Sequence, residues 1–317
     1  MSDPSVSTTT TGSSGHDPGD GQVDAAQAQA AGDLSGRRAS LWADAWRELR
    51  HNPLFLVSAL LMSVFMLMAA FPRLFTGGDP RDCPLERSLQ RPSAEHWFGF
   101  DLQGCDYYTR VIYGARVSIT IGIVVTVFAV LIALVLGSAA GYYGGIVDTL
   151  IARVTDIVFG LPFVLGAIVI LSVVSDRNLF WVSVVLIILG WTTMTRLMRS
   201  SVLGVRDMDY VKAAKALGAS DLRVLTRHVL PNAIAPMIVY ATIYVGIIIA
   251  AEATLSFLGV GLQLPAISWG LMISGAQTRV LSTPHLLFFP GLFLSLTVLS
   301  FILMGDALRD ALDPKLR

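Results

Sequence analysis

Charged residues are scarce in this sequence. Asp, Glu, Lys and Arg make up 15% of its 317 residues, whereas a typical soluble domain carries about 25%. Hydrophobic residues make up 54% of the chain. The 23 basic residues balance the 23 acidic ones, so no overall positive field indicates a nucleic-acid partner. These totals exclude a protein whose whole surface faces water, and they favour one that lies in a membrane.

Motifs for chemistry are also missing. The sequence has no Gly-x4-Gly-Lys-Ser/Thr phosphate loop, so we do not expect this chain to bind ATP. Its five histidines are scattered, and no Ser, His and Asp grouping falls on one side of a membrane. His96 and Glu95 lie near the two cysteines, but their spacing does not match a zinc site. We therefore expect no catalytic, cofactor-binding or metal-binding site in this chain.

Long apolar stretches separate the polar segments. A helix needs about 20 mostly apolar residues to cross the hydrocarbon core of a bilayer, and none of these stretches alternates apolar and polar residues as a β-barrel strand does. We predict six transmembrane helices, at about 54–71, 117–137, 157–174, 179–195, 233–251 and 286–304. The predicted fold class is therefore an all-α polytopic membrane protein.

The distribution of basic residues orients the predicted helices, because cytoplasmic loops carry more Lys and Arg than outer loops. With the N-terminus inside, fifteen of the 23 basic residues flank the helices on the cytoplasmic side and eight on the outer side. Six spans then leave both termini in the cytoplasm. This predicts a multi-pass protein of the cell membrane whose residues 196–232 face the cytoplasm.

Composition divides the chain into segments. Residues 1–36 have few large apolar side chains and are expected to be a disordered cytoplasmic tail. Residues 37–53 place Trp42 and Trp46 on one apolar face, which is typical of an amphipathic helix at a membrane interface. The other predicted segments are a first transmembrane helix at 54–75, an extracytoplasmic loop at 76–110, a core of five transmembrane helices at 111–306 with a cytoplasmic loop at 207–231, and a cytoplasmic tail at 307–317.

A polar, cation-bearing segment interrupts the apolar sequence before the fifth span. Asp209 is expected to cap a helix whose residues 210–217 include good helix formers such as Ala213 and Ala214. Gly218 stands where helices commonly end in a left-handed residue. The small side chains let another surface approach this helix closely. The alternative is a helix that lies on the membrane with its cations facing lipid headgroups.

A second short helix is predicted after the glycine. Ser220 or Asp221 can cap its N-terminus. Arg223 and Arg227 share one face at a spacing of four residues, opposite an apolar face. Pro231 suits the start of the following span, where its missing N–H costs little.

The spacing of these residues resembles a known loop. Ala213 and Ala214, then Gly218, and Pro231 thirteen residues after it resemble the "EAA" cytoplasmic loop of permease subunits in binding-protein-dependent ABC importers. In that family the loop is the coupling helix, which sits in a cleft of the ATPase subunit. The family often has Glu where this chain has Lys212. The resemblance implies an ATPase-docking surface made of Asp209, Tyr210, Val211, Ala213, Ala214, Leu217 and Gly218.

Other stretches resemble the permeases of dipeptide and oligopeptide importers. They are "FGFDLQGCDYYTRVIYGARVSI" at Phe98–Ile119, "EATLSFLGVGLQLPAISWG" at Glu252–Gly270 and "GDALRDALDP" at Gly305–Pro314. The resemblance covers about residues 40–317. It implies the type I ABC importer permease fold and the transport of short peptides. The alternative within the class is a nickel, metallophore or glutathione importer.

The resemblance also implies partners. A second homologous permease would complete the membrane path, and two ATP-binding subunits would carry the ATP and Mg²⁺. An extracytoplasmic peptide-binding protein would deliver the substrate, and membrane lipid would surround the helices. A stand-alone channel or secondary transporter is the alternative of another class. It predicts inverted repeats and broken helices with polar midplane residues, and the sequence shows no clear repeat.

Candidate sites also lie outside the cytoplasmic loop. Cys83 and Cys105 fall in the outer loop, where an oxidising exterior permits a disulfide, and the alternative is two unpaired thiols. Glu252 lies near the end of a span and is a candidate for the substrate path. Asp156 is expected to pair with Arg153, three residues before it on one helix.

A glycine-rich segment follows the second predicted span. It contains Gly137, Gly141, Gly144 and Gly145, together with Tyr142 and Tyr143. We predict a flexible inner turn at this position; the alternative for glycines that lie on a span is close helix packing.

Overall fold

The protein is built from α-helices. Its structure is a computed structural model that describes residues 46, 47 and 49–312. Within these residues the only β-pairing is an isolated bridge between Phe100 and Asp106. The first half contains α1 (Pro53–Ala70), α2 (Tyr107–Tyr143), α3 (Gly145–Phe159), α4 (Phe163–Val173) and α5 (Leu179–Arg206). The predicted disordered tail and most of the predicted interfacial helix lie outside the described residues.

The second half begins with a run of short helices. These are α6 (Asp209–Ala216), α7 (Asp221–Val224), a π-helical turn (Leu225–Val229) and α8 (Leu230–Ala233). They lead into α9 (Ala235–Phe257), α10 (Trp269–Ala276) and α11 (His285–Leu312). The π turn precedes Pro231, which has no N–H to offer the carbonyl four residues earlier. The turn instead closes with a bond from the Leu230 N–H to the Leu225 carbonyl.

Side chains at the helix starts explain where the long helices begin. The Asn52 side chain accepts hydrogen bonds from the Leu54 and Phe55 N–H groups at the start of α1. Asp106 accepts from Thr109 N–H at the start of α2, and Asn178 does the same for α5. Such side chains satisfy backbone donors that have no partner inside the helix.

Five of the six predicted spans correspond to single helices. Among the described residues, α1, α2, α5, α9 and α11 are long and apolar enough to cross a membrane. The second span is longer than predicted, because α2 has 37 residues and a length of about 56 Å. The sixth continues to Leu312, so the predicted C-terminal tail at 307–317 begins inside α11. Residues 313–317 lie outside the described part.

The third predicted span, at 157–174, is wrong as a straight helix. The structure divides it between α3 and α4, whose axes differ by 77°. Gly160, Leu161 and Pro162 occupy the break. A proline lacks the N–H of a helical bond and disfavours helical geometry in the residue before it. Since α4 has 11 residues, it is only about 16 Å long and cannot cross the hydrocarbon core alone.

The glycine-rich segment after the second span is helical through Tyr143, so the predicted flexible turn is wrong for Gly137 and Gly141. Both glycines lie where α2 packs against α5. A Cβ on Gly137 would lie 2.7 Å from the Thr195 carbonyl oxygen, and one on Gly141 would lie 2.8 Å from the Arg199 carbonyl oxygen. Only Gly144 and Gly145, with positive φ angles, form the turn into α3.

The interior contains two main apolar clusters. One joins α2, α4 and α5 to α9 and the short helices between α5 and α9. The other joins α1, the N-terminal half of α2, α10 and α11 to part of α9. Near the start of α2 the Tyr107 hydroxyl donates to the Leu286 carbonyl oxygen at 2.5 Å, and the Phe98 and Phe289 rings stack with their centres 3.7 Å apart. We call the end of the molecule that carries α6 the coupling end, after the predicted coupling helix, and the end at which α2 begins the opposite end.

Candidate functional site

The short helix α6 is the centre of the candidate site. Met208 has extended backbone angles and precedes the helix, while Asp209 is its first helical residue. The prediction that Asp209 caps the helix is therefore wrong by one position. Its carboxylate still lies in the first turn, where negative charge is favourable. Asp209 also lies 3.8 Å from Lys212, but both side chains are exposed and such pairs contribute little.

The end of α6 depends on Gly218. Its φ angle is +81°, a left-handed conformation that glycine adopts without strain. The Gly218 N–H donates to the Lys215 carbonyl, and the Ala219 N–H donates to the Ala214 carbonyl at 3.1 Å. These two bonds form a Schellman cap, which satisfies carbonyls left over at the helix end. The predicted role of Gly218 as the helix terminator is confirmed.

The helix has an inner and an outer face. Val211 has no exposed surface, and Ala214 packs partly against the apolar cluster at the coupling end. Tyr210, Ala213 and Leu217 are exposed, and Leu217 shows 88% of its surface.

Most of the residues predicted to dock an ATPase are thus available to a partner. They are Asp209, Tyr210, Ala213, Leu217 and Gly218. The prediction that Val211 belongs to the docking surface is wrong. Its side chain is buried in the interior of the chain and anchors the helix. Ala214 shares that inner face. Buried apolar side chains on one side of a short helix fix its orientation, because they would otherwise be exposed to water.

Tyr142 connects this loop to α2. Its hydroxyl donates to Asp221 Oδ1 at 2.8 Å, and Lys215 Nζ lies 4.7 Å from the centre of its ring. The sequence predicted neither contact. Asp221 is the first residue of α7, and Ser220 occupies the cap position without a side-chain bond. The only sequence signal for the contact is a tyrosine directly after Gly141, the second of the paired glycines of α2.

Arginines of α5 hold the neighbouring helices. Arg199 forms two hydrogen bonds with the carboxylate of Asp148 on α3, at 2.5 and 2.6 Å. Arg196 pairs with Asp156 at 2.8 Å. The predicted pairing of Asp156 with Arg153 is therefore wrong. Asp156 lies against α5, so a partner on another helix is closer than one on its own.

A third arginine of α5 caps α2. Arg206 Nη1 donates to the Gly141 carbonyl at 2.8 Å. Carbonyls in the last turn of a helix lack partners within the helix, and a cation is favourable there. The C-terminal end of α2 is thus fixed to α5 both by glycine packing and by this bond.

Glu252 lies at the opposite end and is completely buried. Its Oε1 accepts hydrogen bonds from the Ser256 and Ser268 hydroxyls at 2.7 and 3.0 Å. The Ser268 hydroxyl also accepts from the Leu271 N–H at the start of α10. Glu252 therefore joins α9 to the loop before α10, and in this conformation it does not line an open path. Its place in the substrate path stays a prediction.

The two cysteines also lie at the opposite end. Cys83 and Cys105 form a disulfide, with their sulfur atoms 2.05 Å apart. Asp101 accepts hydrogen bonds from the Cys105 N–H and from the Arg110 guanidinium. In the part of the chain that the structure describes, no three His, Cys, Asp or Glu residues are grouped so that they could hold a metal ion.

Membrane-spanning helices that present a short capped helix at one end have the architecture of a transport permease. The sequence comparison identifies the family. Residues 133–317 match the family described as binding-protein-dependent transport system inner membrane component, and the chain belongs to it. Residues 40–92 match the N-terminal transmembrane domain of oligopeptide transport permease C. The protein is thus a multi-pass inner membrane component of a transport system.

Curated relatives match over most of their length. The dipeptide transport system permease protein DppC of Alkalihalophilus pseudofirmus is 40% identical over 88% of this chain and 91% of its own. The oligopeptide transport system permease protein OppC of Bacillus subtilis is 39% identical over 92% of this chain and 96% of its own. The glutathione transport system permease protein GsiD of Escherichia coli is 36% identical over 87% and 91%.

Proposed function

We propose that this chain is the permease subunit of an ATP-driven ABC importer of short peptides, coupled to cytoplasmic ATPase subunits through α6. The observation that carries the proposal is the construction of α6. Its inner face is anchored in the permease, its end is capped by Gly218, and its outer face presents Tyr210, Ala213 and Leu217. Family membership supports the importer class.

The exposed face of α6 suits docking into a protein cleft. Leu217 and Tyr210 are large and exposed, and tyrosine is enriched in the buried centres of protein interfaces. Ala213 between them allows close approach. A pair of cytoplasmic ATP-binding subunits is the proposed partner, and ATP and Mg²⁺ would be bound there. No catalytic role is assigned to this chain.

The membrane path is proposed to form between this chain and a second, homologous permease. The bent pair α3 and α4 leaves large apolar side chains exposed along its length, among them Ile146, Ile157 and Val173. These suit contact with lipid or with a second permease. An extracytoplasmic binding protein would deliver the substrate to the opposite end, and both termini would lie in the cytoplasm.

The proposed mechanism is alternating access. ATP-driven closure of the ATPase subunits would move α6 and α7, and the packed helices α2, α5 and α9 would follow them. Val211 transmits force because it is embedded in the same apolar cluster as α2 and α5. A close-packed interior deforms little, so displacement of the loop carries the helices with it.

Short peptides are the proposed substrate because two of the relatives are named as dipeptide and oligopeptide permeases. A glutathione importer is the second candidate, and a relative of 36% identity favours it. Glutathione is itself a short peptide derivative, so both proposals require a path that accepts a compact polar molecule. A nickel or metallophore importer stays an alternative. A stand-alone channel leaves the capped α6 without a role.

Co-purification followed by uptake tests the proposal. The chain is tagged at its C-terminus, extracted in mild detergent, and its companions are identified by mass spectrometry. We expect a second permease and ATP-binding chains. The purified complex, reconstituted with its binding protein in liposomes, is expected to import labelled di- and tripeptides only when ATP is supplied. A chain that purifies alone and transports without ATP contradicts the proposal.

A further inference from the structure

Tyr142 contacts both short helices of the loop between α5 and α9. The ring lies in the last turn of α2 and is almost completely buried. Its hydroxyl donates a hydrogen bond of 2.8 Å to Asp221, the first residue of α7. Lys215, in the last turn of α6, places its ammonium group 4.7 Å from the ring centre. This distance is within the range of a cation–π interaction.

The position of Tyr142 is fixed from the side of α2. Gly141, the residue before it, lies against the backbone of α5 at Arg199. The Gly141 carbonyl is held by Arg206. These contacts fix the backbone of α2 next to Tyr142 relative to α5. Any shift of α6 or α7 changes the distance from Asp221 or Lys215 to the Tyr142 ring unless α2 moves too.

The neighbouring Tyr143 differs in each of these respects. It is more than half exposed and touches the Tyr142 ring edge-on at 5.2 Å. The structure gives its hydroxyl no hydrogen bond within the described residues. Tyr142 and Tyr143 are thus adjacent residues of the same size, but only Tyr142 is buried and bonded to the loop.

We propose that Tyr142 is a positioning residue that couples the loop to α2, so that movement of α6 and α7 displaces the whole helix. This rests on the proposed function of α6 as the docking helix. The covalent chain already joins α6 to α5 and the loop to α9, but α2 lies elsewhere in the sequence. The Tyr142 side chain connects α2 to α6 and α7, which the backbone does not join directly.

The test compares Tyr142→Phe with Tyr143→Phe in the complete reconstituted importer. Peptide uptake and ATP hydrolysis are measured on the same liposomes. A hydrogen bond to a charged group contributes enough free energy to change an equilibrium by about tenfold. We expect Tyr142→Phe to assemble and hydrolyse ATP normally, but to consume about ten times more ATP per peptide. Tyr143→Phe is expected to match the wild type.

Asp221→Ala removes the same bond from the loop side. Because Asp221 is exposed, this variant is expected to fold even where a change at Tyr142 reduces folding. The double variant is expected to be no worse than either single one, because both remove one interaction. An unchanged ratio of ATP to peptide in Tyr142→Phe and Asp221→Ala overturns the inference. A wild-type complex without ATP-dependent uptake overturns the proposed function itself.

Discussion

At the scale of single residues, the candidate site depends on positions where the backbone conformation or a specific contact restricts which side chain can be present. Gly218 is such a position, since its φ angle of +81° excludes an unstrained side chain. A Cβ added there would touch nothing within 4 Å. The constraint thus comes from backbone conformation within the chain, and from any partner that approaches the loop from outside.

Substitution of Gly218 is expected to separate these two contributions. Gly218→Ala adds strain of about 1 kcal/mol at the end of α6 and is expected to reduce uptake partially. Gly218→Arg adds bulk on the docking face and is expected to abolish uptake while the protein still inserts. Both are measured as peptide uptake, with membrane levels determined by immunoblotting.

Gly259→Ala is the matched control for the strain. Gly259 has a φ angle of +77°, is exposed and has open space around it, but it lies at the opposite end. It is expected to cost similar stability and to leave ATPase co-purification unchanged. If Gly218→Arg supports uptake at the wild-type level, the assignment of α6 as the docking helix is wrong.

At the scale of elements, α2 and α5 pack backbone to backbone at two glycines. Gly137 and Gly141 lie four residues apart on one face of α2, and both allow the α5 backbone to approach directly. Small residues at this spacing let membrane helices pack by close van der Waals contact. Arg199 and Arg206 then add polar bonds from α5 to α3 and α2.

Alanine at Gly137 or Gly141 is expected to destabilise the protein by about 1–3 kcal/mol, since the new Cβ would overlap backbone atoms of α5. Gly204→Ala is the control. Gly204 lies in α5 with no atom near its Cβ position, and alanine there is expected to be neutral or slightly stabilising. Thermal unfolding of the detergent-extracted protein measures the difference. Equal stability of the three variants would contradict close packing at these glycines.

The ion pair between Asp148 and Arg199 gives a second prediction for these elements. Asp148→Asn removes a bidentate pair and is expected to lower stability by about 1 kcal/mol, because the pair is partly exposed to solvent. The loss is expected to shrink at high salt. Arg153→Gln, on the same helix and exposed, is expected to change stability by less. A loss for Arg153→Gln as large as that for Asp148→Asn would contradict a specific contribution of the Asp148–Arg199 pair.

At the scale of the whole molecule, the coupling end and the opposite end are stabilised by different means. The coupling end has the capped helix α6 and the arginines of α5, and the opposite end has the disulfide and the buried carboxyl of Glu252. Changes at one end are therefore expected to affect the other through the long helices that connect them, α2, α5 and α9.

Replacing both cysteines with serine tests this separation. The disulfide closes a loop of 22 residues, and its loss is expected to cost about 3 kcal/mol on the loop-entropy estimate. The cost is expected to appear as faster proteolysis of residues 72–106. Co-purification of the ATP-binding chains is expected to be unchanged. Loss of those chains in the serine variant would show that the two ends are not independent.

Hydropathy was enough to predict where most helices lie, because the length of an apolar stretch sets whether it can cross a bilayer. Local spacing was enough for Gly218, since a helix end is a short-range feature. The 77° break at Gly160–Pro162 was missed because hydropathy stays high across it, although the proline itself is a signal for a helix break. Partners distant in sequence also escaped prediction. Asp156 pairs with Arg196, forty residues away, and Tyr142 with Asp221.

The length of α2 has a mechanical consequence. A helix of 37 residues is about 56 Å long and extends well beyond a hydrocarbon core of about 30 Å. In the proposed mechanism it would act as a lever arm, since a tilt of about 5° about one end moves the other by roughly 5 Å, given a rise of 1.5 Å per residue. In the proposed mechanism, a tilt of α2 that begins at the loop next to Tyr142 would therefore reach the opposite end of the molecule.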